Sequence, residues 1–103
     1  MAFKSVIEAK LKINLVCTVA MVENLLGHKA YHPMDIIQSY KGLTVEIGNT
    51  DAEGRLILCD AMSWTQSKHK LKSMIELSTL TGAIVVSLAY SYAGLFCNND
   101  CLA

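Results

Sequence analysis

The chain has 103 residues, with 9 Lys plus Arg against 9 Asp plus Glu and no formal net charge. That length allows one small domain and not two, and the balanced charge argues against a nucleic-acid or anionic-membrane binder held by bulk electrostatics. The apolar fraction is 52%, more than so short a chain can readily hide, so a slab of a larger core or a surface buried in an oligomer is expected. In chain order, Phe3, Val6, Ile7 and Leu11 fall on one helical face and predict a helix over Ala2–Leu11. Ile13–Val22 is β-branched and mostly apolar, the pattern of a strand buried on both faces in a parallel sheet. Gly27, His28, Tyr31, His32 and Pro33 mark a loop. Leu43, Val45 and Ile47 alternate with Thr44 and Glu46, a half-buried strand between Gly42 and Gly48. Thr50 with Glu53 reads as a capping box, and the apolar run Leu56–Trp64 as the helix it opens. Gln66–Lys72 is a basic loop or helix end, Met74–Leu77 a short strand, Thr81–Tyr92 a last helix and Gly94–Cys97 a final short strand. Strands alternating with helices predict an α/β fold, a mainly parallel or mixed sheet flanked by helices.

Two features point elsewhere and are weaker. Leu77–Asn99 is uncharged and long enough to reach across a bilayer, but its Ser and Thr hydroxyls and the Thr81-Gly82 step read as a buried strand, a turn and a helix. No membrane span is expected, nor a signal peptide, since Met1–Lys12 is lysine-rich and amphipathic without a continuous apolar stretch. Cys97 and Cys101 have a C-x3-C spacing without a second pair or a nearby His, so free or buried thiols in a reducing compartment are expected over a zinc site.

The chemistry concentrates in Asn49-Thr50-Asp51-Ala52-Glu53-Gly54-Arg55-Leu56. Two carboxylates lie between a strand end and a helix start, where ligand sites of α/β sheets are found, and hard divalent cations take such oxygen ligands. Arg55 is a fixed cation able to hold an anion bidentately. On composition and spacing alone, Asp51 and Glu53 are better accounted for as first-turn acids favoured by the helix macrodipole, with Arg55 as a solvated partner. Asn49, Asp51, Glu53, Gly54 and Asp60 also fall at positions 1, 3, 5, 6 and 12 of a calcium loop. However, Asp60 replaces the bidentate Glu, and a strand precedes the loop instead of an entering helix.

The run Asn49–Leu56 resembles the signature of the leucyl aminopeptidase (cytosol aminopeptidase) family. The similarity continues through Val22-Glu23-Asn24, Ala30-Tyr31, Pro33, Asp35-Ile36-Ile37 and Thr44-Val45-Glu46 before the signature. After it come Leu58-Cys59-Asp60-Ala61, Thr79-Leu80-Thr81-Gly82-Ala83, Ala93-Gly94-Leu95-Phe96 and Asn98-Asn99-Asp100. It covers nearly the whole chain in order. The resemblance implies a partial metalloaminopeptidase catalytic domain over residues 1–103 that releases N-terminal amino acids from peptides. It further implies two divalent metals, manganese or zinc, with Asp51 on one and Glu53 bridging both. Arg55 would hold a bicarbonate-like anion that helps move the proton, and Thr79, Leu80 and Gly82 would line the substrate site. A cytoplasmic, hexameric assembly is implied as well.

The sequence departs from the family at several points. The family's upstream lysine and aspartate ligands, and its second active-site lysine, have no counterpart here. His32 and Met34 stand where Arg and Gly are usual beside the Pro, Tyr90 where a Gly is common, and Gly48 where a larger apolar residue is. The chain is therefore read as a fragment. The alternative is a catalytically inactive truncated homologue acting as a structural or interaction subunit.

Overall fold

The computed structural model describes residues 2–103. They form two compact units, one reaching to Lys72 and one spanning Ser73–Ala103.

The first unit opens with α1, Ala2–Glu8, shorter than its apolar stripe. Lys10 takes φ 51°, its N–H donates to Ile7 O at 3.0 Å, and Leu11 N–H reaches back to Val6 O at 3.4 Å. These are the paired bonds of a Schellman motif. It stops the helix before Leu11, with a lysine where glycine is commonest.

Ile13–Val22 does not form the expected buried strand and is no regular element. A strand is held by its ladder, and the single ladder among the described residues joins two other segments. Val19 and Met21 are accordingly 67% and 87% exposed. Among the described residues, one side-chain hydrogen bond anchors this stretch: the Thr18 and Thr65 hydroxyls lie 2.8 Å apart. Thr65 donates its proton to Ala61 O at 2.7 Å, so Thr18 is the donor between them.

The ladder is a hairpin of β1, Ile36–Gln38, and β2, Thr44–Glu46, paired antiparallel with Ile37 opposite Val45. No parallel pair occurs among the described residues. What is present, helices with a two-stranded antiparallel sheet, is consistent with a piece of an α/β domain. The hairpin loop is Tyr40-Lys41-Gly42. Ser39 N–H donates to Leu43 O and Gly42 N–H to Ser39 O, each at 2.8 Å, and Gly42 sits at φ 83°. A three-residue loop ending in a left-handed residue needs a glycine there.

Just before β1, Asp35 N–H donates to His32 O at 3.2 Å. Pro33 is second in this turn and Met34 third, at φ 71°. That is the pattern of a type II turn, which favours Gly at the third position, where the family resemblance places one. The Met34 N–H meets Ile47 O at 2.7 Å, and Ile47 N–H meets Asp35 O at 2.8 Å. Met34→Gly is expected to raise stability by about 1 kcal/mol by removing the left-handed penalty. A urea-unfolding midpoint measures this, and an unchanged or lower midpoint would contradict it.

After β2 the chain enters a 3-10 turn, Thr50–Ala52, and then α2, Glu53–Lys68. The helix starts earlier and runs later than Leu56–Trp64, taking in part of the basic stretch and closing with Lys68 at its favourable carboxyl end. Asp60 on α2 accepts the Tyr40 N–H at 2.9 Å, and Tyr40 Oη lies 3.0 Å from Ser67 Oγ. Both contacts tie the hairpin loop to the helix. Ile47, 2% exposed, is the one buried apolar residue among those described.

In the second unit the last helix, α3, spans Ala83–Leu88 and not Thr81–Tyr92. It ends at Ala89, whose φ of 54° and ψ of −149° belong to a region glycine adopts far more readily. Met74–Leu77 and Gly94–Cys97 are not strands; neither has a ladder partner among the described residues. At Gly94 a Cβ would meet the flexible end of the Ile84 side chain, which would have to turn aside. No helix among the described residues is long and apolar enough to cross a membrane.

Candidate functional site

The acidic turn is held by two contacts from within, one of them Ala52 N–H to Asn49 O at 3.2 Å, and by two from the segment preceding the hairpin. Asn49 is extended at φ −148°, ψ 120°, and its Oδ1 accepts the Asp51 N–H at 2.9 Å. The cap is therefore Asn49 and not Thr50. An Asn side chain reaches its own backbone two residues on, which favours the tight turn before the helix. Tyr31 Oη donates to Thr50 O at 3.0 Å. Glu53, the first residue of α2, does not return to the turn as a capping-box partner. Its Oε1 accepts the Asn24 side-chain amide at 2.9 Å.

The other oxygen, Glu53 Oε2, is buried without a hydrogen-bond partner, the one such side-chain N or O atom among the described residues. An unsatisfied buried acceptor costs on the order of 1–3 kcal/mol, more when charged. A first-turn acid placed only for the macrodipole has no need of that burial. A divalent cation would satisfy the oxygen, and carboxylates suit such cations.

Asp51 is exposed on the 3-10 turn. Arg55 is exposed in the first turn of α2 and makes no ion pair among the described residues. A cation at the positive end of a helix is unfavourable, so helix stability does not explain its place. No three His, Cys, Asp or Glu side chains among the described residues converge as a metal-holding group. Asp51 and Glu53 thus supply donors on one turn without a full coordination shell.

The calcium-loop pattern is overturned. Glu53–Asp60 is helical, so positions 5 to 12 cannot wrap an ion, and Asp60 is engaged by Tyr40. Thr79, Leu80 and Gly82 lie in the second unit, in and just after the irregular segment leading to α3. Gly82 is the N-cap residue at φ −70°, and nothing lies within 4 Å of where a Cβ would be. Neither conformation nor packing asks for glycine there. All four cysteines are free and exposed, and Cys97 Sγ donates to Asn99 O at 3.2 Å.

Sequence reasoning gave Asn24 and Tyr31 no role. Tyr31 lies in a turn-rich stretch and Asn24 between Val22 and Leu25-Leu26, neither in a periodic pattern, and only the fold brings them to the acidic turn.

The family model described as the cytosol aminopeptidase family, catalytic domain, matches residues 1–103. The chain is similar to the probable cytosol aminopeptidase of Wolbachia pipientis wMel, 55% identical over 95 residues, covering 91% of this chain and 19% of that protein. It is also similar to those of Gluconobacter oxydans (strain 621H), 51% identical over 94 residues, and Caulobacter vibrioides (strain ATCC 19089 / CIP 103742 / CB 15), 50% identical over 94 residues. In both of these the match again covers 91% of this chain and 19% of the relative. The chain spans about a fifth of the length of the curated relatives it matches. No solved structure matches it.

Proposed function

Since the chain belongs to the cytosol aminopeptidase family, we propose that it carries the acidic turn of a metal-dependent peptidase that releases N-terminal residues. The observation behind this reading is Glu53 Oε2, a buried carboxylate oxygen with no partner. Glu53 and Asp51 would hold divalent cations, manganese or zinc. Bound there, the metals would supply the Lewis acidity that polarises a peptide carbonyl and activates water.

The chain's own groups have distinct tasks. Asn49 and Tyr31 fix the turn from which both carboxylates project. Arg55, exposed and without an ion pair among the described residues, would hold a bicarbonate-like anion through its planar fork. Thr79, Leu80 and Gly82 would meet the peptide backbone, Gly82 being free of any packing reason to lack a side chain. The remaining metal ligands would come from outside this chain, as would the strands that complete a mainly parallel sheet around Ile13–Val22. Homo-oligomer formation, as in the family's hexamers, fits the many exposed apolar side chains. A cytoplasmic location fits relatives named as cytosol enzymes.

The test is release of ammonia from leucine amide by the protein purified together with the segments that supply those remaining ligands, with Mn2+ or Zn2+, beside N-acetyl-leucine amide. Hydrolysis is expected only with metal and only of the free-amine substrate. A folded protein that hydrolyses neither would contradict this reading. It would support the second one, an inactive homologue that packs against other subunits, which the absence of a three-ligand group among the described residues favours.

A further inference from the structure

We propose that Asn24 is a positioning residue that aims the Glu53 carboxylate, an inference that rests on Glu53 being a metal ligand. The Asn24 side-chain amide donates to Glu53 Oε1 at 2.9 Å across 29 residues of sequence. An ionised carboxylate only accepts, so the NH2 end of Asn24 must face it. Glu53 has several rotatable bonds and would otherwise sweep a wide arc. Fixing one oxygen fixes the carboxylate plane, and the second oxygen, Oε2, is left buried and bare.

The bond does not compete with a cation for Oε2. Even Oε1 keeps a lone pair for one, because each carboxylate oxygen accepts twice. Asn24 is neutral, so it orients the carboxylate without offsetting its charge as a Lys or Arg would. It is exposed and has no core to support. Tyr31, further along the same segment, holds the backbone of the turn through Thr50 O. The segment from Asn24 to Tyr31 thus fixes one ligand's side chain and the turn preceding it.

The experiment measures Mn2+ affinity by electron paramagnetic resonance of the free ion, for the wild-type protein, Asn24→Leu, Asn24→Gln and Glu53→Gln. Loss of a group that orients a metal ligand typically weakens binding about 10- to 100-fold. Asn24→Leu, similar in size and without a donor, is expected to lose that much. Asn24→Gln, which keeps the amide, is expected to recover part of it. A purely structural role for Asn24 would lower the thermal midpoint and leave Mn2+ affinity unchanged. Wild-type affinity in Asn24→Leu, alongside lost affinity in Glu53→Gln, would overturn the inference and leave the metal site standing. Unchanged affinity in Glu53→Gln, or no Mn2+ uptake by the wild-type protein, would overturn the site and the inference together.

Discussion

Glu53→Gln is expected to lower metal-dependent hydrolysis of leucine amide by more than about 100-fold, since losing a ligand should cost at least as much as losing a group that orients one. It should leave the fold intact or slightly more stable. The substitution keeps the shape of the side chain and an oxygen to accept from Asn24. It replaces the buried, unpartnered Oε2 by a neutral amide nitrogen. A carboxylate oxygen buried without a partner is costly, so a neutral group in its place is expected to lower that cost. The two readings of this acid differ in sign. If Glu53 served only the helix macrodipole, loss of its charge would destabilise the protein by about 0.3–1 kcal/mol and leave hydrolysis untouched. Parallel kcat/KM and thermal-unfolding measurements separate them. Lower stability with full activity would contradict the metal-ligand assignment.

Ile47→Ala is expected to cost about 2–4 kcal/mol, within the usual range for truncating a buried aliphatic side chain. Ile47 is 2% exposed, and no other apolar residue among those described is buried. Its backbone also closes the connection to the turn before β1, through Met34 N–H and Asp35 O. Those bonds survive truncation, so the loss reports the side chain. Ile36, 71% exposed on the adjacent strand, is the control, and Ile36→Ala should change stability by less than about 0.5 kcal/mol. Urea unfolding of both variants checks the contrast. Equal losses would contradict Ile47 as the centre of this unit.

The parts of the fold that local chemistry dictates were legible in the sequence. The alternation around Val45 gave β2, and the apolar run after the acidic turn gave α2. A Gly is usual in the family at position 34, and Met34 sits there at positive φ. Long-range pairing was not legible. Ile13–Val22 has the composition of a buried strand, but composition cannot provide a ladder partner. β1 escaped notice because Ile36–Gln38 is too short to show alternation, although Gly42 signals the turn that pairs it. The helix boundaries moved for local reasons. A Schellman motif at Lys10 shortened α1, and Asn49 caps the 3-10 turn ahead of α2, whose own N-cap, Ala52, has no side-chain bond.

Around the proposed site, the place of Asp51, Glu53 and Arg55 between a strand end and a helix start was legible from the sequence. Their supports were not. Asn24 and Tyr31 contact the turn only because the chain folds back across 29 and 19 residues of sequence, a separation no spacing rule anticipates. The family resemblance reached them as matched letters without a role.

The most direct measurement is anomalous diffraction from crystals of the protein grown with zinc. A zinc peak is expected about 2.0–2.2 Å from Glu53 Oε2, with Asp51 at the same centre. Ordered density for the Glu53 carboxylate with no peak beside it, or zinc bound only at other residues such as the exposed cysteines, would contradict the assignment of this turn as a metal-holding site.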